Sequence, residues 1–535
     1  MKKWLPLAEL FLIIGLALFP LAGGQFPYRL NIFLSYEGAY RLYLGEVPYK
    51  DFGLPMGFMY WVIPALFFKI FGPYMITLVK AQVLINIISG LAFRAILKNL
   101  SVRPGIRFLS VLLFCISYSF LNYWPWYNHT VIVYELVALA FLTRFFFMPP
   151  AMKKRTIYLA LSGVFIFLSF FTKQDAGAMG FLVCVALLVY NSIIEKRWLQ
   201  LPVFLGSIAV TAAMLILPFL KWGIGYWFNY GQPPHTSRFS LADFTGEFFY
   251  NSQWLKFYFF LVLFLLFATT KNFRALLQDK RRMIFVLLTL GMLTEATIFQ
   301  VTSYIPPDNN IFFHSFAFAF LLVWLADFLP LNWEAPSALL AGVAGIMLWW
   351  SSVYWKFLEK YLVKPPAVQT AAAEGVSKNN YLIFKPDSSD VPMSEWRTIS
   401  MKAFQKILLP GPTVDGINRI VQMDEVKKPG AKILNMTELT PLAREIPFQL
   451  ERGSYYPLWY HKGVGMFQKQ TDMFCNRIKN NYYDLVLFEY IPYLNNFYPF
   501  QVRDSLLQHY QRVDVFTAPR KPSLQAWVEV YVRKK

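Results

Sequence analysis

Charge is scarce in this chain. Only 15% of its 535 residues are Asp, Glu, Lys or Arg, against about 25% in an ordinary soluble domain. A chain so poor in charge cannot solvate the surface of one large globule. With 56% hydrophobic residues it is not disordered either. Cysteine is nearly absent: Cys115, Cys184 and Cys475 are the only three, and no two have the spacing of a metal or redox pair. A disulfide framework is thereby excluded. Acidic residues are outnumbered, 31 against 51 basic, for a net charge of +20. A basic excess can signal nucleic acid, but here the cations flank apolar runs, as they do around membrane spans. There is no tandem repeat and no Gly-rich phosphate loop. Gly411-Pro-Thr-Val-Asp-Gly416 reads as a turn.

What is present is length of apolar sequence. Mean hydropathy is +0.40. The first 355 residues hold 40 charged side chains and the last 180 hold 42, so charge density doubles after Trp355. This divides the chain into a membrane-embedded part, 1–355, and a soluble tail, 356–535. Eleven runs are long enough to read as helical spans: 4–24, 74–97, 106–122, 129–147, 156–172, 177–194, 200–219, 254–270, 283–302, 310–329 and 336–355. The first reads as a span rather than a cleaved signal, because many spans follow.

With the N-terminus taken as cytoplasmic, the cytoplasmic ends hold 17 Lys/Arg and the opposite loops 7. The positive-inside rule then sets that orientation, and an odd number of spans puts the tail on the extracytoplasmic side. Two opposite-side loops are long, 25–73 and 220–253. Within the first, 55–71 is apolar but holds Pro64, and reads as a helix lying in the interface. In the tail, runs at 431–436, 483–488, 513–516 and 526–532 are strand-like, with helical stretches at 471–481 and 500–511. They predict a small α/β layer. Residues 365–378 read as a linker or short helix.

Ionisable groups beside spans are functional candidates by default. Glu37 and Arg41 stand four apart, on one helical face. They read either as a surface ion pair or as a carboxylate and cation at a cavity mouth. Thr172-Lys173-Gln174-Asp175 joins two apolar runs; Lys173 either snorkels to the interface or meets a phosphate there, with Gln174 as a further donor. Trp124-Pro-Trp-Tyr-Asn128-His129 opens another span. Its aromatics suit an interfacial belt, and Asn128 and His129 suit ligand hydroxyls. Glu135, two turns deeper, and Glu295 read equally as hydrogen-bonded packing groups or as catalysts. Ser303-Tyr-Ile-Pro-Pro-Asp-Asn-Asn310 is a turn, with His314 just inside the next span.

The stretch Glu37-Gly-Ala-Tyr-Arg-Leu-Tyr-Leu-Gly-Glu-Val-Pro-Tyr49-Lys-Asp51-Phe52 resembles the first-loop signature of the C superfamily of glycosyltransferases (GT-C). It is most similar to the dolichyl-phosphate-mannose-protein mannosyltransferase-like branch. Ser162-Gly163 through Thr172-Lys173-Gln174 resembles that family's small-residue helix ending in Thr-Lys-Gln. Pro457-Leu-Trp459 and Asp484-Leu-Val-Leu487 resemble the outer domain of bacterial members. The resemblance implies a polytopic α-helical enzyme of about eleven transmembrane helices with a small α/β extracytoplasmic domain. It implies an enzyme of the cell membrane, taking a sugar from a polyprenyl-phosphate donor and passing it to an extracytoplasmic protein, lipid or polysaccharide, with no cofactor.

The family's first-loop Asp-Glu pair is Tyr36-Glu37 here. The implied base is therefore Glu37 or Asp51, or else the chemistry of this chain is changed. Lys173, Gln174 and Arg41 are the implied donor-phosphate ligands, and Tyr49, Asn128, His129, Asp175 and His314 the sugar or acceptor ligands. No metal is required, since the first loop lacks the paired acids a divalent ion wants. The rival classes are a transporter or flippase, whose sign would be inverted repeats with broken spans, and a catalytically inactive scaffold of the same fold. No such repeats are present.

Overall fold

A computed structural model describes residues 4–29, 32–119, 122–149, 154–232, 240–251, 253–303, 312–352, 354–355, 391, 395–446, 448–458, 460–492, 494–495, 497–519 and 526–534. The expected turn at 304–310 and the linker at 365–378 lie outside them.

The first part of the chain is helical: α1 (Leu5–Ala22), then after strand β1 (Phe26–Pro27), α2 (Ile32–Tyr43), α3 (Met59–Phe71), α4 (Met75–Asn99), α5 (Pro104–Phe114), α6 (Tyr127–Phe147), α7 (Lys154–Thr172), α8 (Gln174–Glu195), α9 (Gln200–Ile216), α10 (Leu241–Gly246), α11 (Gln253–Thr269), α12 (Phe273–Gln278), α13 (Lys280–Ser303), α14 (Phe312–Leu325) and α15 (Pro336–Trp349). Each of the eleven expected spans falls on one of these. α1, α4, α6, α7, α8, α13 and α9 with its 3-10 extension are each long and apolar enough to cross a bilayer alone. α5, α14 and α15 are shorter; a π-helical stretch at Cys115–Ser119 extends α5. This is a polytopic helical membrane protein.

Apolar side chains cover the outside of the bundle, such as Phe11 on α1, Met214 on α9 and Phe264 on α11. Inside, α6 packs against α4 and α7, and α8 against α13. Cations expected at the cytoplasmic ends cross-link the helices there. Glu9, fully buried, takes Arg94 at 2.6 Å and Arg107 at 2.8 Å. Glu195 takes Arg155 and Lys280, each at 2.6 Å.

α3 is the Pro64-containing helix of the first long loop. It packs on α2 and α4 and leaves Leu66, Ile70 and Phe71 exposed. A Cβ at Gly38 of α2 would fall inside the Trp61 ring of α3, so only glycine permits this crossing.

The tail contains β2 (Trp396–Arg397), β3 (Ile407–Pro410), α16 (Gly411–Gln422), α17 (Asp424–Lys427), β4 (Ile433–Met436), α18 (Leu442–Glu445), α19 (Phe467–Lys479), β5 (Leu485–Tyr490), α20 (Phe500–His509), β6 (Tyr510–Thr517) and β7 (Trp527–Arg533). A four-stranded sheet runs β4-β5-β7-β6, parallel between β4 and β5 and antiparallel elsewhere. Alternation places Val486 and Phe488 under α19 and α20, and Leu485 and Leu487 on the other face with Ile417 and Ile420 of α16. The predicted strands and helices are therefore present. Gly411–Gly416 is a correction: it opens α16 rather than forming a turn, because Pro412 sits in the first helical turn, where its missing N–H has no partner to lose.

The tail and the first long loop share a core. β1 pairs in parallel with β3, Phe26 against Ile407. Gly453 N–H donates to the Asp51 carbonyl at 2.8 Å, Gly53 N–H to Tyr456 at 2.8 Å, and Leu458 N–H back to Gly53 at 2.9 Å. The second long loop joins as well: Asn229 bonds the Gly463 carbonyl and the Gly465 N–H, each at 2.8 Å, and Gln470 donates to the Tyr226 hydroxyl at 2.7 Å. Both long loops and the tail thus cover one end of the bundle.

Candidate active site

Two polar centres lie under this cover. The first is the seam between loop and tail. α2 brings Glu37 and Arg41 onto one face, and they pair: Arg41 Nε donates to Glu37 Oε1 at 2.9 Å, and Nη2 lies 2.8 Å from the same oxygen. Arg41 Nη1 donates to Glu46 at 2.7 Å and to the Glu451 carbonyl at 2.9 Å. Glu46 in turn takes Arg452 at 2.9 Å, and Glu451 takes Arg477 at 2.7 Å. The guanidinium is wholly buried, 4.8 Å from the Tyr456 ring centroid and 5.4 Å from that of Phe52. Of the two readings of the Glu37–Arg41 spacing, the pair is real but is not a surface pair. Arg41 is engaged on both sides by protein groups and clasps the loop to the tail.

Glu37 borders a small cleft with Asn435, Thr440 and Tyr456. Burial raises its carboxyl pKa above the ordinary value, and Arg41 only partly offsets this. Asp51 acts locally. Its carboxylate accepts the Val47 N–H at 2.8 Å and closes the turn 47–51.

The second centre is the α7–α8 junction. Lys173 is extended between the two helices. Its ammonium meets Asp175 at 3.0 Å and lies over the Phe299 ring of α13, 4.4 Å from the centroid, with the Tyr127 ring at 6.0 Å. Asp175 also accepts from Thr302 at 2.7 Å. Gln174 donates to the Trp227 carbonyl at 2.5 Å, which ties the junction to the second long loop. The first loop reaches the same place. Gly57 lies hard against the Phe171 carbonyl, and Tyr49, at φ 65°, is buried with Phe171, Trp227 and Val464 of the tail, its hydroxyl on the Met56 carbonyl at 2.8 Å. A partly desolvated ammonium on an aromatic face, beside a carboxylate, is a setting for an anionic ligand next to a hydroxyl.

The other candidates divide. Asn128 sits beside Tyr127 at the mouth of α6, and its Oδ1 is buried with no donor among the described residues. His129 points into the bundle instead, stacked on Tyr118 at 4.3 Å with Nδ1 3.3 Å from Gln82 of α4. His314 bonds the Tyr258 hydroxyl of α11 at 2.9 Å amid Trp254 and Trp350. So Lys173, Gln174, Asp175 and Tyr49 gather around one junction, with Asn128 next in sequence to Tyr127, whose ring faces Lys173, whereas Glu37, Arg41 and Asp51 belong to the seam. Sequence reading missed Tyr127, Phe299 and Thr302 at the junction, and Glu46, Glu451, Tyr456 and Arg477 at the seam. The apolar or hydroxyl members carry no signal of their own. The seam acids carry charge but come from segments some 400 residues apart.

This arrangement, a helical membrane bundle capped by its long loops and a C-terminal α/β tail, is consistent with a GT-C fold. Over nearly its whole length the chain resembles apo ArnT from Cupriavidus metallidurans, with a TM-score of 0.53 over 95% of this chain and 94% of that one, at 11% identity. At that identity the likeness is one of fold and does not select the mannosyltransferase branch. Two further structures match more loosely. ArnT from the same organism bound to undecaprenyl phosphate gives 0.40 at 12% identity, over 64% of this chain and 62% of that one. An Archaeoglobus fulgidus oligosaccharyltransferase with zinc and sulfate gives 0.39 at 12%, over 70% and 59%. In both, the chain spans less than two thirds of the protein it matches. No protein-family model matches the chain, and no curated protein matches it in sequence.

Proposed function

We propose that this chain is a membrane glycosyltransferase that moves a sugar from a polyprenyl-phosphate donor to a hydroxyl acceptor. Transfer takes place at the end of the bundle covered by the tail, and that end is extracytoplasmic. The observation that carries the reading is Lys173, an ammonium held on the Phe299 face at a junction between two spans, beneath both long loops. A lipid phosphate at the membrane surface meets a cation there while its chain lies among apolar helices.

The donor phosphate displaces Asp175 from Lys173 and takes the ammonium as its counter-ion. Asp175, still held by Thr302, is then the carboxylate beside the reacting carbon. The acceptor oxygen attacks the anomeric carbon and the bond to the phosphate oxygen breaks, with inversion. The phosphate leaves with the electron pair, and Asp175 takes the acceptor's proton. Charge grows on the leaving phosphate in the transition state, so Lys173 favours that state over the ground state. Asn128 and Tyr49 border the sugar or acceptor. Glu37 and Asp51, the bases implied by family resemblance, are assigned to holding the loop in place.

One observation favours a second reading, an inactive scaffold: the first-loop acids are engaged in structural contacts. Sugar release from a panel of labelled undecaprenyl-phosphate-linked sugars in purified membranes separates the two. Turnover that depends on Lys173 and Asp175 supports the enzyme. No turnover with any donor, in protein that binds undecaprenyl phosphate, supports the scaffold.

A further inference from the structure

Two carboxylic acids that the proposed reaction does not use meet inside the bundle. Glu135 of α6 and Glu295 of α13 have no solvent exposure. Each is the other's hydrogen-bonding neighbour. None of their four oxygens meets a donor among the described residues. α8 closes the space above Glu135 with bare backbone, since a Cβ at Gly180 would lie 2.6 Å from the Glu135 carboxyl carbon. Ionised carboxylates only accept hydrogen bonds, so two of them in contact require a proton on at least one.

Among the described residues no Lys, Arg or His hydrogen-bonds to either acid. The titratable groups that bear on the pair are Tyr118 from the π-helical stretch, Cys184 of α8 and Asp175 at the start of α8. None is a cation. Charges buried without a partner are neutralised rather than borne.

The pair also has a defined place. Phe299 and Thr302 follow Glu295 by four and seven residues, on the same face of α13. Phe299 underlies Lys173 and Thr302 bonds Asp175. Asn128 precedes Glu135 by seven on α6. The two acids therefore lie about two turns beneath the junction, on the faces that lead to it.

We infer that Glu135 and Glu295 hold a shared proton inside the bundle and so keep doubled negative charge from the floor of the Lys173 site. The second half of that statement rests on Lys173 binding the donor phosphate; the first does not. The test uses the full chain in detergent. The infrared spectrum of the wild type minus that of E135Q/E295Q should contain a protonated-carboxyl band at neutral pH. A difference spectrum holding only carboxylate bands overturns the shared proton. Where the glutamine pair fails to fold, E135L/E295L serves in the same subtraction, being neutral and apolar.

Undecaprenyl phosphate binding, measured as pH is raised, then reads the second half. Wild-type affinity should fall about tenfold further than that of E135Q/E295Q as the pair ionises, the effect of one added charge at a distance of some turns. Equal losses overturn the electrostatic role. Unchanged binding by Lys173→Ala would instead overturn the phosphate site and leave the infrared result standing.

Discussion

Gly57 and the Phe171 carbonyl mark where the first long loop lands on the Thr-Lys-Gln junction. A Cβ at Gly57 would stand 1.3 Å from that oxygen, a backbone atom that cannot swing aside. Gly57→Ala must therefore lift the loop or push the end of α7. The expected cost is at least the 1–3 kcal/mol of an overpacked site. Because the overlap faces the residue two before Lys173, undecaprenyl phosphate binding should weaken while membrane insertion, read from reporter fusions, stays normal. Normal binding by Gly57→Ala would show that the loop's seat does not shape the junction.

Lys173 separates a ligand role from an anchoring one. If it holds the donor phosphate, Lys173→Ala removes a charge-assisted contact of about 1.5–3 kcal/mol, and donor affinity and turnover both drop by about one to two decades. Lys173→Arg should recover only part, since a planar fork replaces a compact charge on the Phe299 face. A snorkelling lysine predicts full recovery by arginine and unchanged donor binding. Titrating well-folded variants with undecaprenyl phosphate decides.

The seam predicts opposite outcomes for two neighbours on α2. Arg41→Ala leaves Glu37 and Glu46 buried without the cation between them, at a cost of about 3–5 kcal/mol. The tail should undock, seen as proteolytic cleavage around residues 448–458. Glu37→Gln keeps shape and an acceptor for Arg41, so the tail should stay docked and transfer should stay within about threefold of wild type. A loss approaching the 10²–10⁴-fold of a general base would return that role to Glu37.

Spans are legible in the sequence because an apolar run of about twenty residues has few other fates, and the tail strands because a run such as Leu485-Val-Leu-Phe488 marks a sheet buried on both faces. The Glu37–Arg41 pair is legible because helical spacing is local. Its meaning is not: Glu451, Tyr456 and Arg477 reach it only after a chain reversal that no local pattern encodes. The same limit hides Phe299 and Thr302, which α13 brings to Lys173 from well over a hundred residues away. His129 shows the reverse case. A polar residue at a span mouth suggests a ligand, but helical phase turns it inward onto Tyr118.

Acid should loosen the tail through Asp484. Its carboxylate accepts the Lys432 N–H at 2.9 Å and meets Lys428 at 3.0 Å and Arg533 at 3.2 Å. Burial pushes this carboxyl up, but the Lys432 N–H and the two cations outweigh burial and hold it below the usual carboxylate range. Glu529 follows the same pattern, with burial outweighed by Arg503, Tyr531 and Arg512. A folded value below the unfolded one stabilises fully above the unfolded value, about pH 4, and the stabilisation is lost as pH falls through the folded value. Glu37 and Glu451 run the other way. Burial raises both, so they oppose folding near neutrality and stop doing so on acidification. The acid-sensitive part is then the β4–β5 ladder beside Asp484, not the seam. Hydrogen exchange of the full chain, corrected for intrinsic rate, should show protection of Ile433–Met436 falling below about pH 4. Asp484→Asn should lower that protection already at pH 6 and flatten its response to acid. A wild-type acid response retained by Asp484→Asn would move the titrating group elsewhere, with Glu529 next to test.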